Sequence, residues 1–330
     1  MATKKQKTTA KDSSASKKAR KRDKNRGAGS GANRSEAEGF PVVAIGASAG
    51  GLKALEGFFD TMPSNSGMAF VVVQHLDPKH KSLMTGLLEK RTPMKVIQAE
   101  DGLKVQPNHV YTKPPGKDLI IRERTLELVE PKGGVRSQLP IDTFFRSLAE
   151  DLGERAICIV LSGAGGDGTL GLKAVKGAGG MVMVQDEKQA EYDGMPRGAI
   201  STGLADFILP VERMPEELVS YATHPFLEPD GVKDETSEER FERFVLKALS
   251  LVRRTTGHDF SGYKRSTIRR RIGRRMAVHQ IADISHYTNY LRQNPAEVEE
   301  LFKDLLHCCP NVIEIDSTGY RKWPPVLCSR

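Results

Sequence analysis

VVAIGASAGGLKAL, residues 42–55, runs an apolar stretch into a glycine-rich turn and then into a segment with helical spacing. A turn of this kind between a buried strand and a helix has two uses. It can cradle dinucleotide phosphates on backbone N–H groups. It can also lift a serine, here Ser48, into the open as a nucleophile. Val42–Ile45 is one of a series of short, β-rich apolar runs, with Met68–Gln74, Val96–Ala99, Ala156–Leu161, Met181–Gln185 and Asp206–Leu209. Helical patterns lie between them: Leu52, Leu55 and Phe59 share one face, and residues 142–148 and 170–175 read similarly. Short continuous apolar strands that alternate with helices imply a parallel sheet covered on both faces. Residues 109–130, with YTKPPGKDLIIRERTLELVE, break the rhythm and are expected to form an antiparallel hairpin at the sheet's edge. The fold class that follows is α/β: a doubly wound, mostly parallel sheet with an edge hairpin, followed by a small all-α domain.

A chain of 330 residues has room for about two domains. Residues 1–38 hold twelve Lys and Arg against four Asp and Glu, a net of +8 that equals the formal charge of the whole chain. The remainder is therefore near neutral. With almost no apolar residues the arm cannot offset its ordering entropy, so it is expected to be disordered. No specific nucleic-acid partner is expected, since any such contact would be electrostatic and salt-dependent. The α/β domain is expected over 39–225, a polar Pro/Gly-punctuated linker over 226–240 and helices over 241–306, where strand signals vanish. Residues 307–330 show neither helical nor alternating periodicity and hold three of the four cysteines and the single tryptophan. No stretch of about 18 apolar residues exists, so no membrane insertion is expected. The basic N-terminus lacks the apolar segment of a secretory signal. Cys158, Cys308, Cys309 and Cys328 show no CxxC spacing, so neither a zinc site nor a disulfide framework is expected. A cytoplasmic location is the expectation.

In an open parallel sheet, functional groups gather beyond the carboxyl ends of the strands. Ser48 follows the first strand within Gly46-Ala47-Ser48-Ala49-Gly50, a GxSxG pattern; His75 ends the second in VVVQHLDP; Asp167 follows Ile157–Leu161 in LSGAGGDGTLG. The grouping is that of acyl transfer. His75 would take the Ser48 proton, Asp167 would hold the imidazole, and backbone N–H groups would bind the oxyanion. Each residue also has an ordinary structural use: Ser48 as a helix N-cap, His75 as a hydrogen-bonded strand end, Asp167 as the cap of the next helix. From the residues alone both readings stay open.

The dinucleotide reading fails on three counts. GASAGG resembles the TGxxxGxG turn of short-chain dehydrogenases but lacks the final Gly-x-Gly. None of the seven tyrosines has a lysine four residues on. The second strand ends in Gln74-His75, where an acidic residue would be wanted for the ribose.

Six blocks in order, VVAIGASAGGLKAL, FVVVQHLDPKHKSLM, YTKPPGKDL, LPIDTFFRSLAED, IVLSGAGGDGTLGLKAVKGAGG and YDGMPRGAI, resemble those of the chemotaxis protein-glutamate methylesterase catalytic domain (CheB-type) over about residues 41–225. The resemblance implies hydrolysis of glutamate methyl esters on chemoreceptor helices, deamidation of receptor glutamines, and no metal or organic cofactor. The family's catalytic serine, histidine and aspartate fall on Ser48, His75 and Asp167. Oxyanion support is expected around Ala49, Gly50, Ala164 and Gly165. The family's active-site methionine corresponds to Ala164, and a threonine is often present where this chain has Ala49. The competing reading is a docking or regulatory module in which these departures mark weakened catalysis.

FVLKALSLVRRTTGHDFSGYKRSTIRRRIGRRM (244–276) and HYTNYLRQNPAEVEELFKDLL (286–306) resemble the N-terminal helical domain of the chemoreceptor methyltransferase (CheR-type). In that family a basic helix faces the receptor. Here Ile268, Ile272 and Met276 would form its buried stripe, while Arg269, Arg270, Arg271, Arg274 and Arg275 would face an acidic receptor helix. The chain resembles methylesterase–methyltransferase fusions without a receiver domain or an S-adenosylmethionine-binding domain. Residues 307–330 depart abruptly from the family pattern, as a shifted reading frame would make them, and no methyl transfer is expected.

Overall fold

The computed structural model describes residues 39–75, 83–131, 139–225, 235–306, 314–315 and 321–322. The expected arm, residues 226–234 of the expected linker and nearly all of the tail lie outside them. From its amino end the described chain runs β1 (Val42–Ala47), α1 (Gly51–Thr61), β2 (Ala69–Gln74), α2 (Met84–Leu88) and β3 (Lys95–Gln98). Four short strands follow: β4 (Leu103–Lys104), β5 (His109–Thr112), β6 (Asp118–Arg122) and β7 (Thr125–Val129). The domain is completed by α3 (Pro140–Leu152), β8 (Ala156–Val160), α4 (Thr169–Ala178), β9 (Met181–Gln185), α5 (Gly194–Ser201), β10 (Phe207–Leu209) and α6 (Met214–Ala222).

Seven strands form one sheet in the order β10-β9-β8-β1-β2-β5-β3, every neighbouring pair parallel. Every residue of β1 is buried, the outcome expected of a strand with helices on both faces. Its side chains alternate between two cores. Val43, Ile45 and Ala47 pack with Leu55, Phe58 and Phe59 of α1, while Val42 and Ala44 pack with Phe144, Phe145 and Leu148 of α3. Phe58, Phe59 and Phe70 meet edge to face, with ring centroids 5.2–6.1 Å apart. Burying each such ring contributes about 1.5–3 kcal/mol. The chain winds one way from β1 through β2 to β5 and β3, then returns beside β1 and winds the other way through β8, β9 and β10. The switch between the two directions lies between β1 and β8, where ligand crevices of open α/β sheets form.

Residues 109–112 depart from the sequence expectation. They form β5, a parallel strand inside the main sheet between β2 and β3, and only 118–129 make the antiparallel hairpin, joined by β4. His-Val-Tyr-Thr is too short and too polar to announce a central strand. It is admitted because Val110 and Tyr111 are buried by neighbouring elements.

The helical region comprises α7 (Glu235–Thr256), α8 (Arg265–Val278), α9 (Ile284–Gln293) and α10 (Pro295–Leu306). Its core includes Phe241, Val245, Val252, Tyr287, Leu301 and the expected stripe Ile268, Ile272 and Met276. The first helix begins at Glu235, inside the stretch expected to be linker. Strong helix formers in Glu-Thr-Ser-Glu-Glu-Arg extend it outward by a turn and a half. Asp283 caps α9 by accepting from the backbone N–H groups of Ser285 and His286. Two-residue strands β11 (Glu314–Ile315) and β12 (Arg321–Lys322) pair antiparallel. No helix of the described residues is long and apolar enough to cross a membrane.

Candidate active site

Three adjacent strands place the reactive residues. In the registers Gly46↔Val160 and Ala47↔Gln74, β8, β1 and β2 end at one level. The chain leaves the sheet there at Ser48, His75 and the loop 161–168. Backbone hydrogen bonds continue the ladder past the strand ends: Leu161 N donates to Gly46 O at 2.9 Å, Ser48 N to Ser162 O at 3.0 Å, and His75 N to Ala47 O at 3.4 Å. The three sequence candidates are thus brought together.

Asp167 is buried and anchors the site. Its Oδ2 lies 3.1 Å from His75 Nε2 and accepts from Ile141 N at 3.0 Å; its Oδ1 accepts from Asp142 N at 2.9 Å and Gly168 N at 2.8 Å. The carboxylate therefore holds the amino end of α3, where free N–H groups and the helix dipole favour an anion. With Nε2 turned to Asp167, Nε2 carries the ring hydrogen and Nδ1 carries the lone pair. Among the described residues, His75 Nδ1 is buried with no hydrogen-bond partner.

Ser48 is not the cap of α1. That position belongs to Gly50, whose φ of +70° suits a residue without Cβ, and no side chain caps the helix. The structural use that the sequence left open for Ser48 is thereby absent. Asp167 likewise caps α3, 25 residues away along the chain at Asp142, and not the helix that follows it, whose N-cap is Gly168 with no side-chain cap bond.

Ser162 and Met195 also belong to the site; both lie inside the quoted blocks, yet neither is among the expected site residues. Ser162 Oγ donates to Ala49 O at 2.9 Å and accepts from Tyr192 N at 3.0 Å, while Ser162 N donates to Gln185 Oε1 at 2.7 Å. Gln74 Nε2 donates to Ser48 O at 3.3 Å. These polar residues staple the elbow to its neighbours, and the signal that would have found them is burial, which a sequence does not display. Met195 is buried against Gly163; a Cβ at Gly163 would stand 2.1 Å from Met195 Sδ and 2.9 Å from Ser48 Cβ. Gly163→Ala is accordingly expected to displace Ser48 and lower ester turnover by about a hundredfold, measurable as kcat on a methyl ester. Unchanged kcat would contradict the close approach.

Ala49, Ala164 and Gly165 are exposed and Gly50 half-buried, all on the open side of the elbow. A cleft of about 430 Å³ adjoins it, lined by Gly50, Lys53, Ser162, Gln185, Gln189 and Glu191. Two further buried carboxyls, Asp118 and Asp142, lie within electrostatic reach of Asp167. Burial pushes both upward, and the Asp167 charge adds to it.

Of the five arginines expected to face a receptor, three do not reach the surface, while Arg270 is exposed and Arg269 half-buried. Arg271, Arg274 and Arg275 are buried. Arg274 pairs with Asp206 and Asp304, and Arg275 with Glu297, its Nε 2.9 Å from Oε1. Arg270 pairs with Glu154 at 2.6 Å, and Arg269 stacks over Phe241 at 4.6 Å. A helical stripe of arginine reads as solvated from sequence because its acidic and carbonyl partners lie on distant segments. Burial alone would raise the carboxyls of Asp206, Asp304 and Glu297, yet the facing cations hold all three below their ordinary range. The unfolded chain then binds more protons than the folded one as pH falls. Their contribution is complete above the unfolded value of about 4 and is lost as pH drops through the lowered folded values. The melting temperature should therefore fall steeply below about pH 4, and less steeply in Asp206→Asn, by calorimetry. Identical acid limbs would refute this.

Comparison with known proteins follows the same division of the chain. Residues 43–218 match the family model described as CheB methylesterase, and residues 246–306 match CheR methyltransferase, all-alpha domain. The chain is 35% identical over 185 residues to protein-glutamate methylesterase/protein-glutamine glutaminase 2 of Shewanella denitrificans, covering 55% of this chain and 52% of that protein. It is 35% identical over 245 residues to an uncharacterized 104.1 kDa protein of Rhodobacter capsulatus, covering 68% of this chain and 25% of that one. It thus spans a quarter to about half the length of these curated relatives. The crystal structure of the Thermotoga maritima CheB methylesterase catalytic domain superposes with a TM-score of 0.50 at 32% identity, over 55% of this chain and 97% of that one.

Proposed function

The chain belongs to the CheB methylesterase family, and from that premise we propose that it hydrolyses the γ-methyl esters of glutamate side chains on chemoreceptor helices. The observation that carries the mechanism is the convergence of Ser48, His75 and Asp167 at the carboxyl ends of three adjacent strands, with His75 Nε2 3.1 Å from Asp167 Oδ2. Ser48 Oγ attacks the ester carbonyl while its proton passes to His75 Nδ1. Asp167 accepts from Nε2–H and stabilises the imidazolium. The ring nitrogens thus exchange the roles they have in the chymotrypsin arrangement, where Nε2 is the base.

The oxyanion is bound by backbone N–H groups at the amino end of α1 and in the loop Gly163–Gly166. Ser48 N and Gly163 N are committed to Ser162 O and Tyr192 O, so Ala49 N and Ala164 N are the donors that flank Ser48. Backbone donors make this role independent of the side chains at 49 and 164. The departures from the family residues then affect substrate fit more than reaction type. Collapse of the intermediate expels methoxide, which takes the proton from His75 and leaves as methanol. Water, deprotonated by His75, hydrolyses the acyl-enzyme to glutamate. The same attack on a glutamine side chain would release ammonia.

The test is methanol release from a methylated receptor cytoplasmic fragment, run beside fluorophosphonate labelling. Label on Ser48 together with methanol release supports the reading. Absence of both would establish a docking module instead.

A further inference from the structure

We propose that the arginines of α8 serve as a buried ionic lock that fixes the helical domain to the methylesterase domain, at the end of the sheet opposite the active site. The lock is independent of the esterase reading. Lys176 and Asp206 belong to the α/β domain; Arg274 and Asp304 belong to the helical one. Lys176 Nζ lies 2.7 Å from Asp206 and 3.1 Å from Asp304, while Arg274 pairs with the same two carboxylates. The result is a square of alternating charge, with side chains at most 4% exposed. Each side of the junction contributes one cation and one anion. Arg275 adds a further cation 3.7 Å from Asp206.

Main-chain contacts reinforce the square. Arg271 donates to Lys176 O at 3.1 Å and Gly177 O at 2.6 Å, and Arg274 Nε donates to Gly180 O at 3.0 Å. These carbonyls lie at and just beyond the carboxyl end of α4, where the helix dipole favours a cation. Ala277 and Val278 complete the contact by entering the apolar core that contains Met181, Leu218 and Tyr221. Arginine is suited to such a site, because its planar fork serves carboxylate and carbonyl partners at once and it stays charged when buried.

The position of the lock has a functional consequence. Gly180 immediately precedes β9 and Asp206 immediately precedes β10, so the junction sits at the amino ends of these parallel strands. Ser48, His75 and Asp167 follow the carboxyl ends of β1, β2 and β8 in the same parallel sheet, at least a strand length of about 16 Å away. The helical domain is therefore held where it leaves the elbow uncovered, and Arg271, Arg274 and Arg275 of its basic helix are spent on contacts within the chain.

The experiment uses the full chain with a site-specific protease sequence inserted between residues 226 and 234. After cleavage, wild-type fragments should co-elute on size exclusion at micromolar concentration. Arg274→Met and Asp206→Asn should weaken their association about a hundredfold or more, as removal of one partner from a buried pair does. Small-ester turnover should be unchanged in both, which shows that the methylesterase domain is still folded, and circular dichroism should report intact helices. Separation of the nicked wild-type fragments would overturn the proposal, as would variants that associate as tightly as wild type. Loss of helix content in Arg274→Met would leave Asp206→Asn, on the other domain, to decide the matter.

Discussion

Ser48→Ala is expected to lower methanol release from a glutamyl methyl ester at least about 10⁴-fold while leaving the melting temperature within a degree or two of wild type. The two halves of this expectation have separate physical grounds. A triad works as a unit, so removing its nucleophile forfeits nearly all of the covalent route and leaves only what oxyanion binding supplies. Stability is spared because Ser48 caps nothing: Gly50 holds the cap position of α1. The backbone N and O of Ser48 keep their bonds to Ser162 O and from Gln74 Nε2 after truncation. Turnover within tenfold of wild type would remove Ser48 from the mechanism. A large fall in melting temperature would instead reveal a structural role.

Asp167→Ala should lose activity on a similar scale and, unlike Ser48→Ala, should also destabilise the domain. The carboxylate orients His75, and a lost orienting group in a triad costs about 10⁴-fold in kcat. It also accepts from the backbone N–H groups of Ile141, Asp142 and Gly168. Truncation leaves these buried donors without an acceptor at about 1–3 kcal/mol each, so a loss of about 3 kcal/mol or more is expected by chemical denaturation. Asp167→Asn separates the two effects. Its remaining carbonyl oxygen can still accept, so stability should recover in part while the His75 contact stays impaired. If Asp167→Ala proves as stable as wild type, Asp167 is not the anchor of α3. If Asp167→Asn retains full activity, the carboxylate is dispensable to His75.

Much of the site is legible in the residue pattern. The rule that groups gather at strand carboxyl ends selects Ser48, His75 and Asp167, because each follows an apolar run long enough to recognise. Which nitrogen of His75 faces Asp167 is not legible. Ring orientation depends on where the carboxylate stands, and that carboxylate is positioned by the amino end of α3, 25 and 26 residues earlier in the chain. Ser162 is hidden for a similar reason. As one more small residue in a glycine-rich loop it is unremarkable in sequence, and only the approach of Ala49 and Tyr192 shows what its hydroxyl does.

The order of strands and helices, the apolar stripe Ile268–Ile272–Met276 and the three residues at the strand ends all follow from the residues themselves. They rest on periodicity and local spacing, which are properties of neighbouring positions. Two features come from packing instead: His109–Thr112 joins the main sheet, and Arg271–Val278 of α8 is buried. A short strand such as β5 is made by the pairing surfaces on either side of it. The partners of Arg271 and Arg274 include carbonyls 94 and 95 residues away. A guanidinium is solvated or buried according to whether acceptors arrive in its plane to replace water. That arrival is set by the packing of two domains, and no period in either segment records it.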